Sequence, residues 1–303
     1  MADTPLRPRE HAVDAVFFDL YGTLVDIRTD EASEAAWSAL RAALAGYGVP
    51  YADNAAVQER FNMLAEPICG EAIAARGECA EADLLPVFAG LIGCWDAALS
   101  RATAQNGMAK NQTNAVGDGS IGERCVDKAR ALAWTFRRAS TSVLRLYLGV
   151  MELLARLKAA GLRVVLVSNA QSCYTRPELA MLGLEYAFDR IVISSEVGVC
   201  KPSAAIFRHA LEAEGIEPAR ALMVGNDEHS DILGAAGAGI SGVYMRTEIS
   251  PPGDPQASAR AVCSLTGPDY AGLLKYLNIT WLPLAGAGSR SETEGGQGTA
   301  RSA

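Results

Sequence analysis

Short apolar runs alternate with amphipathic stretches through the second half of this chain, whereas residues 27 to 142 show almost only helical spacing. The first apolar run, 13 to 18, is broken only by Asp14 and reads as a buried strand of a parallel sheet. It ends on Asp19 and turns at Tyr21-Gly22-Thr23. Trp37, Leu40, Ala43 and Leu44 then recur at helical spacing and stop near Gly46 and Gly48. Similar patterns predict helices over 54–75, 81–101 and 124–145. Between the last two, residues 102–120 are rich in Asn, Gln, Thr and Gly and read as a mobile insertion.

From residue 150 the two periods alternate. Leu153, Leu154 and Leu157 share a helix face that closes at Gly161. A strand over 162–167 ends in Ser168-Asn169, a helix lies around 177–182, and 191–193 is a strand. Pro202 suits the first turn of a helix reaching about residue 214. A strand over 221–224 ends at Gly225-Asn226-Asp227, and residues 231–237 start a helix. Residues 241–244 form the last core strand, 270–277 a final short helix, and 284–303 a disordered tail. The pattern predicts an α/β protein: a doubly wound, Rossmann-like parallel sheet with an inserted all-helical domain. The core takes residues 11–27 and 143–280, and the helical insertion takes 28–142.

Composition narrows the function classes. A net charge of −8 disfavours nucleic acid or an anionic membrane as partner. No apolar run approaches the ~20 residues that span a bilayer, and the polar first ten residues lack a signal-peptide core. The seven cysteines are scattered and contain no CxxC pair, which suits reduced thiols in a cytoplasmic protein. Oligomeric state leaves no trace in the pattern.

The candidate chemistry lies at strand ends, where open α/β sheets bind ligands. Asp19 as a nucleophilic carboxylate points to a covalent intermediate such as an aspartyl-phosphate. Lys201 can keep it ionised and offset the charge of a small anionic substrate. Thr23, Ser168 and Asn169 offer a hydroxyl or amide to further substrate oxygens. Asp19, the Tyr21 backbone carbonyl, Asp227 and Asp231 form an oxygen set of the kind Mg2+ takes. Each feature alone has a plain structural explanation as a turn, cap or helix start; their order and shared position at strand ends does not.

These motifs, Phe18 to Asp26, Leu166-Val167-Ser168-Asn169, Val199-Cys200-Lys201-Pro202 and Val224 to Asp231, resemble those of the haloacid dehalogenase-like hydrolase superfamily. The resemblance runs from Val13 to Arg246 and implies a helical cap inserted after the first motif (the C1 arrangement). It implies that Asp19 attacks the substrate while the cap closes over the site. Asp26 falls at the core–cap hinge. Trp37, Trp95 and Trp134 read as cap packing and Arg137-Arg138 as a solvated helix face close enough to the junction for a role with a substrate phosphate.

The resemblance implies two competing reactions. Most phosphatases of the superfamily carry a second Asp two residues after the nucleophile as general acid/base. Here Tyr21 stands there, as in the 2-haloacid dehalogenases, which use no metal. The acidic fourth motif favours Mg2+, and Phe207 stands where dehalogenases usually have tyrosine. Arg41, Arg60 and Arg76 are candidates for a dehalogenase's carboxylate-binding arginine only by location. The favoured expectation is a Mg2+-dependent phosphatase of a small phosphorylated metabolite, with catalytic Asp19, Lys201, Ser168 and Tyr21. Tyr21, Glu228 and His229 are the candidate proton donors. The alternatives are a metal-independent 2-haloacid dehalogenase and a weakly active phosphate-binding or regulatory protein.

Overall fold

Ala15–Phe18 has four fully buried side chains, so this strand, β1, needs cover on both faces and neighbours on both edges. In the computed structural model, which describes residues 13–94 and 119–279, it receives them. From β1 the chain turns into β2 (Val25–Thr29), passes through helices α1 (Glu34–Gly46), α2 (Asn54–Arg76), α3 (Leu85–Leu91) and α4 (Gly119–Ser140), and returns along β3 (Thr141–Leu146). It continues through α5 (Val150–Ala159), β4 (Arg163–Ser168), α6 (Ser172–Met181), β5 (Arg190–Ile193), α7 (Ser194–Val197), α8 (Ala204–Glu214) and β6 (Ala221–Gly225). A π-helical turn (Glu228–Leu233), α9 (Gly234–Gly237), β7 (Ser241–Arg246), β8 (Cys263–Thr266) and α10 (Tyr270–Tyr276) complete it.

Six parallel strands form one sheet in the order β5-β4-β1-β6-β7-β8. The chain leaves β1 toward β4 and β5 on one side and later adds β6, β7 and β8 on the other. The ends of β1, β4 and β6 therefore meet at the switch point where such sheets bind ligands. One apolar cluster covers one face (Leu153, Leu157, Leu273 and neighbours), and another, with Ile206, Phe207 and Ala210, covers the other. Phe207 is fully buried in this second cluster.

The helices between β2 and β3 have their own core. Trp37 meets Phe136 and Phe61 edge-on at 4.9 and 5.7 Å, and Phe61 meets Phe88 at 5.4 Å. This cluster reaches Cys173 and Tyr174 of α6, so the helical layer packs directly on the sheet domain. β2 and β3 form a two-stranded antiparallel ribbon between the two parts. Within it the buried Asp26 carboxylate accepts from Arg145 Nε and Nη2 at 3.0 and 2.9 Å and also pairs with Arg28.

Several local expectations need correction. The helix read over 124–145 stops at Ser140, because Thr141–Leu146 pairs with Val25–Thr29 as β3. Within the expected 81–101 helix, only Leu85–Leu91 is helical among the described residues; Pro86 sets its first turn, and residues 81–84 dock on the core instead. Pro202 lies before α8, whose N-cap is Ser203, and follows a cis Lys201–Pro202 peptide. The edge strand β8 is additional to the expected sheet. Arg137 is buried rather than solvated, and Trp134 is half-buried. Cys94 and Cys125 form a disulfide, so the cysteines are not all free thiols and give no argument about compartment. Trp95, residues 102–118 of the expected insertion and the tail 284–303 lie outside the described residues. Among those described, no helix is long and apolar enough to cross a membrane.

Candidate active site

Asp19 follows β1 directly, and its backbone N–H donates to Val224 O at 3.0 Å, fixing it against β6. Its side chain meets Lys201, which the chain brings in from the far side of β4 and β5. Lys201 Nζ donates to Asp19 Oδ1 and to Asp231 Oδ1, both at 2.7 Å. All three groups are buried. Burial works against the Lys201 charge, but Asp19 and Asp231 outweigh it and hold the ammonium above its ordinary range. Burial pushes Asp231 up, Lys201 pulls it back only in part, and Asp19 adds to the rise. Nearby N–H and O–H donors also face the two carboxyl groups. The Asp227 backbone N–H reaches Asp231 Oδ2 at 3.0 Å, and Thr23 Oγ1 reaches Asp19 Oδ2 at 3.2 Å.

Two glycines make this closeness possible. Gly22 has φ +89°, and a Cβ there would lie 2.2 Å from the Asn226 amide nitrogen. A Cβ on Gly225 would lie 2.1 Å from Asp231 Oδ2. The turn is braced from behind: Thr247 Oγ1 donates to Gly22 O and Tyr270 Oη to Thr23 O, both at 2.7 Å. Thr247 and Tyr270 were not singled out from sequence, because neither belongs to a strand-end motif.

Of the other expected site residues, Ser168 lies at the end of β4 with its Oγ buried and unpartnered. Asn169 does not face the site as a free amide. Its Nδ2 donates to Lys201 O at 2.9 Å and its Oδ1 accepts from Lys201 N at 2.7 Å. Asp227 turns away from Asp19: its carboxylate accepts from Ser230 N and Oγ, both at 2.8 Å, capping the π-helical turn. Asn226 takes its place beside the nucleophile. The inward atom of its amide lies 3.1 Å from Tyr21 O, 3.3 Å from Asp19 Oδ2 and 3.2 Å from Thr23 Oγ1.

The Tyr21 side chain leaves the site altogether. Its hydroxyl donates to Glu178 and lies 3.0 Å from Thr175 Oγ1. Glu178 also accepts from Arg137 Nε at 2.7 Å, and Arg137 pairs with Glu31 at 2.8 Å. Burial, then the Glu178 charge, push the Tyr21 phenol far above its ordinary range. Tyr21 is thus no ready proton donor. Glu228 is engaged as well, accepting from Ser258 Oγ at 2.7 Å, and His229 is exposed. Arg41 and Arg76 donate to the backbone carbonyls of Ala52 and Val197, and Arg60 is exposed.

Residues 13–239 match the model of the haloacid dehalogenase-like hydrolase family. Over 116 residues the chain is 36% identical to a glyceraldehyde 3-phosphate phosphatase of Methanothermobacter thermautotrophicus, covering 38% of this chain and 51% of that protein. Over 132 residues it is 36% identical to a phosphoserine phosphatase of Thermus thermophilus, covering 44% and 52%. The chain thus spans about half the length of these curated relatives. A solved 2-haloacid dehalogenase from Pseudomonas syringae shares the fold, with TM-score 0.55 and 18% identity over 88% of this chain and 98% of that one. The chain belongs to the haloacid dehalogenase-like hydrolase family.

Proposed function

We propose that this hydrolase is a Mg2+-dependent phosphatase of a small phosphorylated metabolite, with Asp19 as the nucleophile. The observation that carries the reading is the Asp19–Lys201–Asp231 arrangement beside the unpartnered Ser168 hydroxyl. It sets the nucleophile against a fixed cation and beside a free donor, as an incoming phosphate requires. The phosphatase names of relatives at 36% identity support the same class.

The residues present fit a magnesium ion. With the Asn226 amide nitrogen inward, it donates to Tyr21 O and Asp19 Oδ2. With the oxygen inward, three oxygens converge, and they repel one another unless a cation lies among them. Among the described residues no three His, Cys, Asp or Glu side chains are placed to hold a metal. Of the expected ligands, Asp231 is taken up by Lys201 and the Asp227 N–H, and Asp227 by Ser230; the candidate ligands are Asp19, the Tyr21 carbonyl and Asn226, completed by water and substrate phosphate, a sparse oxygen set that suits Mg2+. Bound there, the ion would neutralise charge on the phosphoryl oxygens.

Asp19 attacks phosphorus; the Asp19 O–P bond forms as the bond to the leaving oxygen breaks. Water then attacks phosphorus and releases phosphate and free Asp19. Lys201 Nζ donates to Asp19 and faces the transferred group, while Ser168 Oγ donates to one of its oxygens. With Tyr21 tied to Glu178, no side chain two residues after Asp19 protonates the leaving group. Activity therefore favours substrates whose leaving oxygen is already a weak base. The layer α1–α4 acts as the cap that excludes water and sets substrate choice, hinged on the β2–β3 ribbon.

A metal-independent dehalogenase is the second reading. It draws on the same Asn226 amide, whose nitrogen can satisfy Asp19 and Tyr21 O without any cation. Phosphate release from p-nitrophenyl phosphate and halide release from 2-chloropropionate, each with and without Mg2+, separate the two. Mg2+-stimulated phosphate release that Asp19→Asn abolishes supports the phosphatase, and chelator-insensitive halide release overturns it.

A further inference from the structure

The segment after α2 docks antiparallel on the loop that leads into Lys201. Arg76 Nη1 donates to Val197 O at 2.9 Å, Glu81 N to Gly198 O at 3.1 Å, and Cys200 N to Cys79 O at 2.8 Å. Ala80 and Val199 form an antiparallel bridge at the centre. Gln171 of the core extends the seam, its Oε1 accepting from Leu84 N at 2.9 Å and its Nε2 donating to Ala82 O at 2.9 Å. This seam fastens the helical layer to the core and ends one residue before Lys201.

The register of that bridge sets Cys79 opposite Cys200. The Cys200 N–H bond to Cys79 O makes this a hydrogen-bonded pair, whose Cα atoms lie about 5.5 Å apart, inside the roughly 4.4–6.8 Å that a disulfide spans. Both cysteines are free and half-buried, so a small oxidant can reach them. The existing Cys94–Cys125 bond differs in kind: it ties α4 to the end of α3 within the helical layer and leaves the seam unlinked.

We propose that Cys79 and Cys200 are a reversible thiol–disulfide pair that locks the cap to the core beside Lys201. The oxidant is a low-molecular-weight disulfide such as glutathione disulfide. One cysteine thiolate attacks it, forming a mixed disulfide and releasing one glutathione thiolate. The second cysteine attacks the protein-bound sulfur of that mixed disulfide and expels the second glutathione. The two cysteine protons end on the two glutathione thiols, and the two electrons of the protein thiols reduce the oxidant. The locked seam keeps residues 76–84 on the Lys201 loop and slows exchange of substrate and product. The effect on turnover rests on the phosphatase reading; the bond and the locking of the seam do not.

The test treats the whole protein with glutathione disulfide, alkylates it without reduction, and maps peptides by mass spectrometry. Hydrogen exchange of residues 79–84 and p-nitrophenyl phosphate turnover are followed in parallel. The expected result is a Cys79–Cys200 linked peptide, slower exchange at the seam, and turnover reduced about tenfold and restored by dithiothreitol. Cys79→Ser keeps its activity under oxidant, and Cys69→Ser behaves as wild type. Separate alkylation of Cys79 and Cys200 after oxidation overturns the proposal. So does a linked protein with undiminished turnover, or Cys79→Ser losing activity as wild type does. If no state turns over substrate, the phosphatase reading fails, while the linked peptide and the exchange still decide the bond.

Discussion

Asn169 holds Lys201 by its backbone: the amide accepts from Lys201 N at 2.7 Å and donates to Lys201 O at 2.9 Å. Both edges of one side chain thus set where the lysine leaves the loop, and so where its ammonium meets Asp19. Asn169→Asp keeps the acceptor but replaces the donor with a carboxylate facing a carbonyl. The expected cost is about 1–3 kcal/mol in urea unfolding, with kcat falling about tenfold or more and KM changing less. An unchanged kcat would show that Lys201 holds its place without this clamp.

The two close-approach glycines give a sharper steric prediction. Gly22→Ala adds a Cβ 2.2 Å from the Asn226 amide at a φ of +89°, so both space and backbone oppose it. The expected loss is about 1–3 kcal/mol in stability together with most activity. Gly46→Ala is the control, since its Cβ would meet nothing within 4 Å. Equal effects of the two in thermal melts would remove the packing argument.

The pH dependence follows from Asp231. Burial and Asp19 raise its carboxyl from 3.8 to about 7 despite Lys201. A group with a raised folded pKa supports the fold below its unfolded pKa, and that support is lost as pH rises through the folded value. Wild type therefore loses this contribution between those two values, while Asp231→Asn has no such proton to lose. In chelator-containing buffer, the Tm of Asp231→Asn relative to wild type should rise from about pH 4 to about pH 8. A constant difference would show that Asp231 keeps its ordinary acidity.

Leaving-group chemistry tests the role denied to Tyr21. General acid catalysis is commonly worth about 10²–10⁴-fold, so simple alkyl phosphates should turn over far more slowly than p-nitrophenyl phosphate. Tyr21→Phe should leave that ratio unchanged while lowering stability by about 1–3 kcal/mol, because it strips a donor from buried Glu178. A ratio that widens further in Tyr21→Phe would restore Tyr21 as the proton donor.

The sheet and the position of Asp19 were legible because buried parallel strands write themselves as continuous apolar runs that stop at polar residues. The pairing of Asp19 with Lys201 was legible from their motifs, although Lys201 stands in the loop after α7 and not at the end of β5. Less was legible wherever a side chain had two possible directions. Asp227 and Asn226 are adjacent, and only the π-helical turn decides that Asp227 caps Ser230 while Asn226 faces Asp19. Asn169 and Tyr21 carry the right groups for a site, but distant partners, the Lys201 backbone and Glu178, claim them. Strand β3 was hidden because Val143, Leu144 and Leu146 continue the helical-looking spacing of the preceding stretch. Pairing with β2 overrides that local preference.

The central claim, that Asp19 carries the phosphoryl group, is tested most directly by trapping the intermediate. Protein quenched in acid during turnover of a ³²P-labelled phosphomonoester is digested, and the labelled peptide is sequenced. The expected result is a hydroxylamine-sensitive label on the peptide containing Asp19, present in wild type and absent from Asp19→Asn. Label on another residue, or Asp19→Asn retaining full phosphate release, would contradict it.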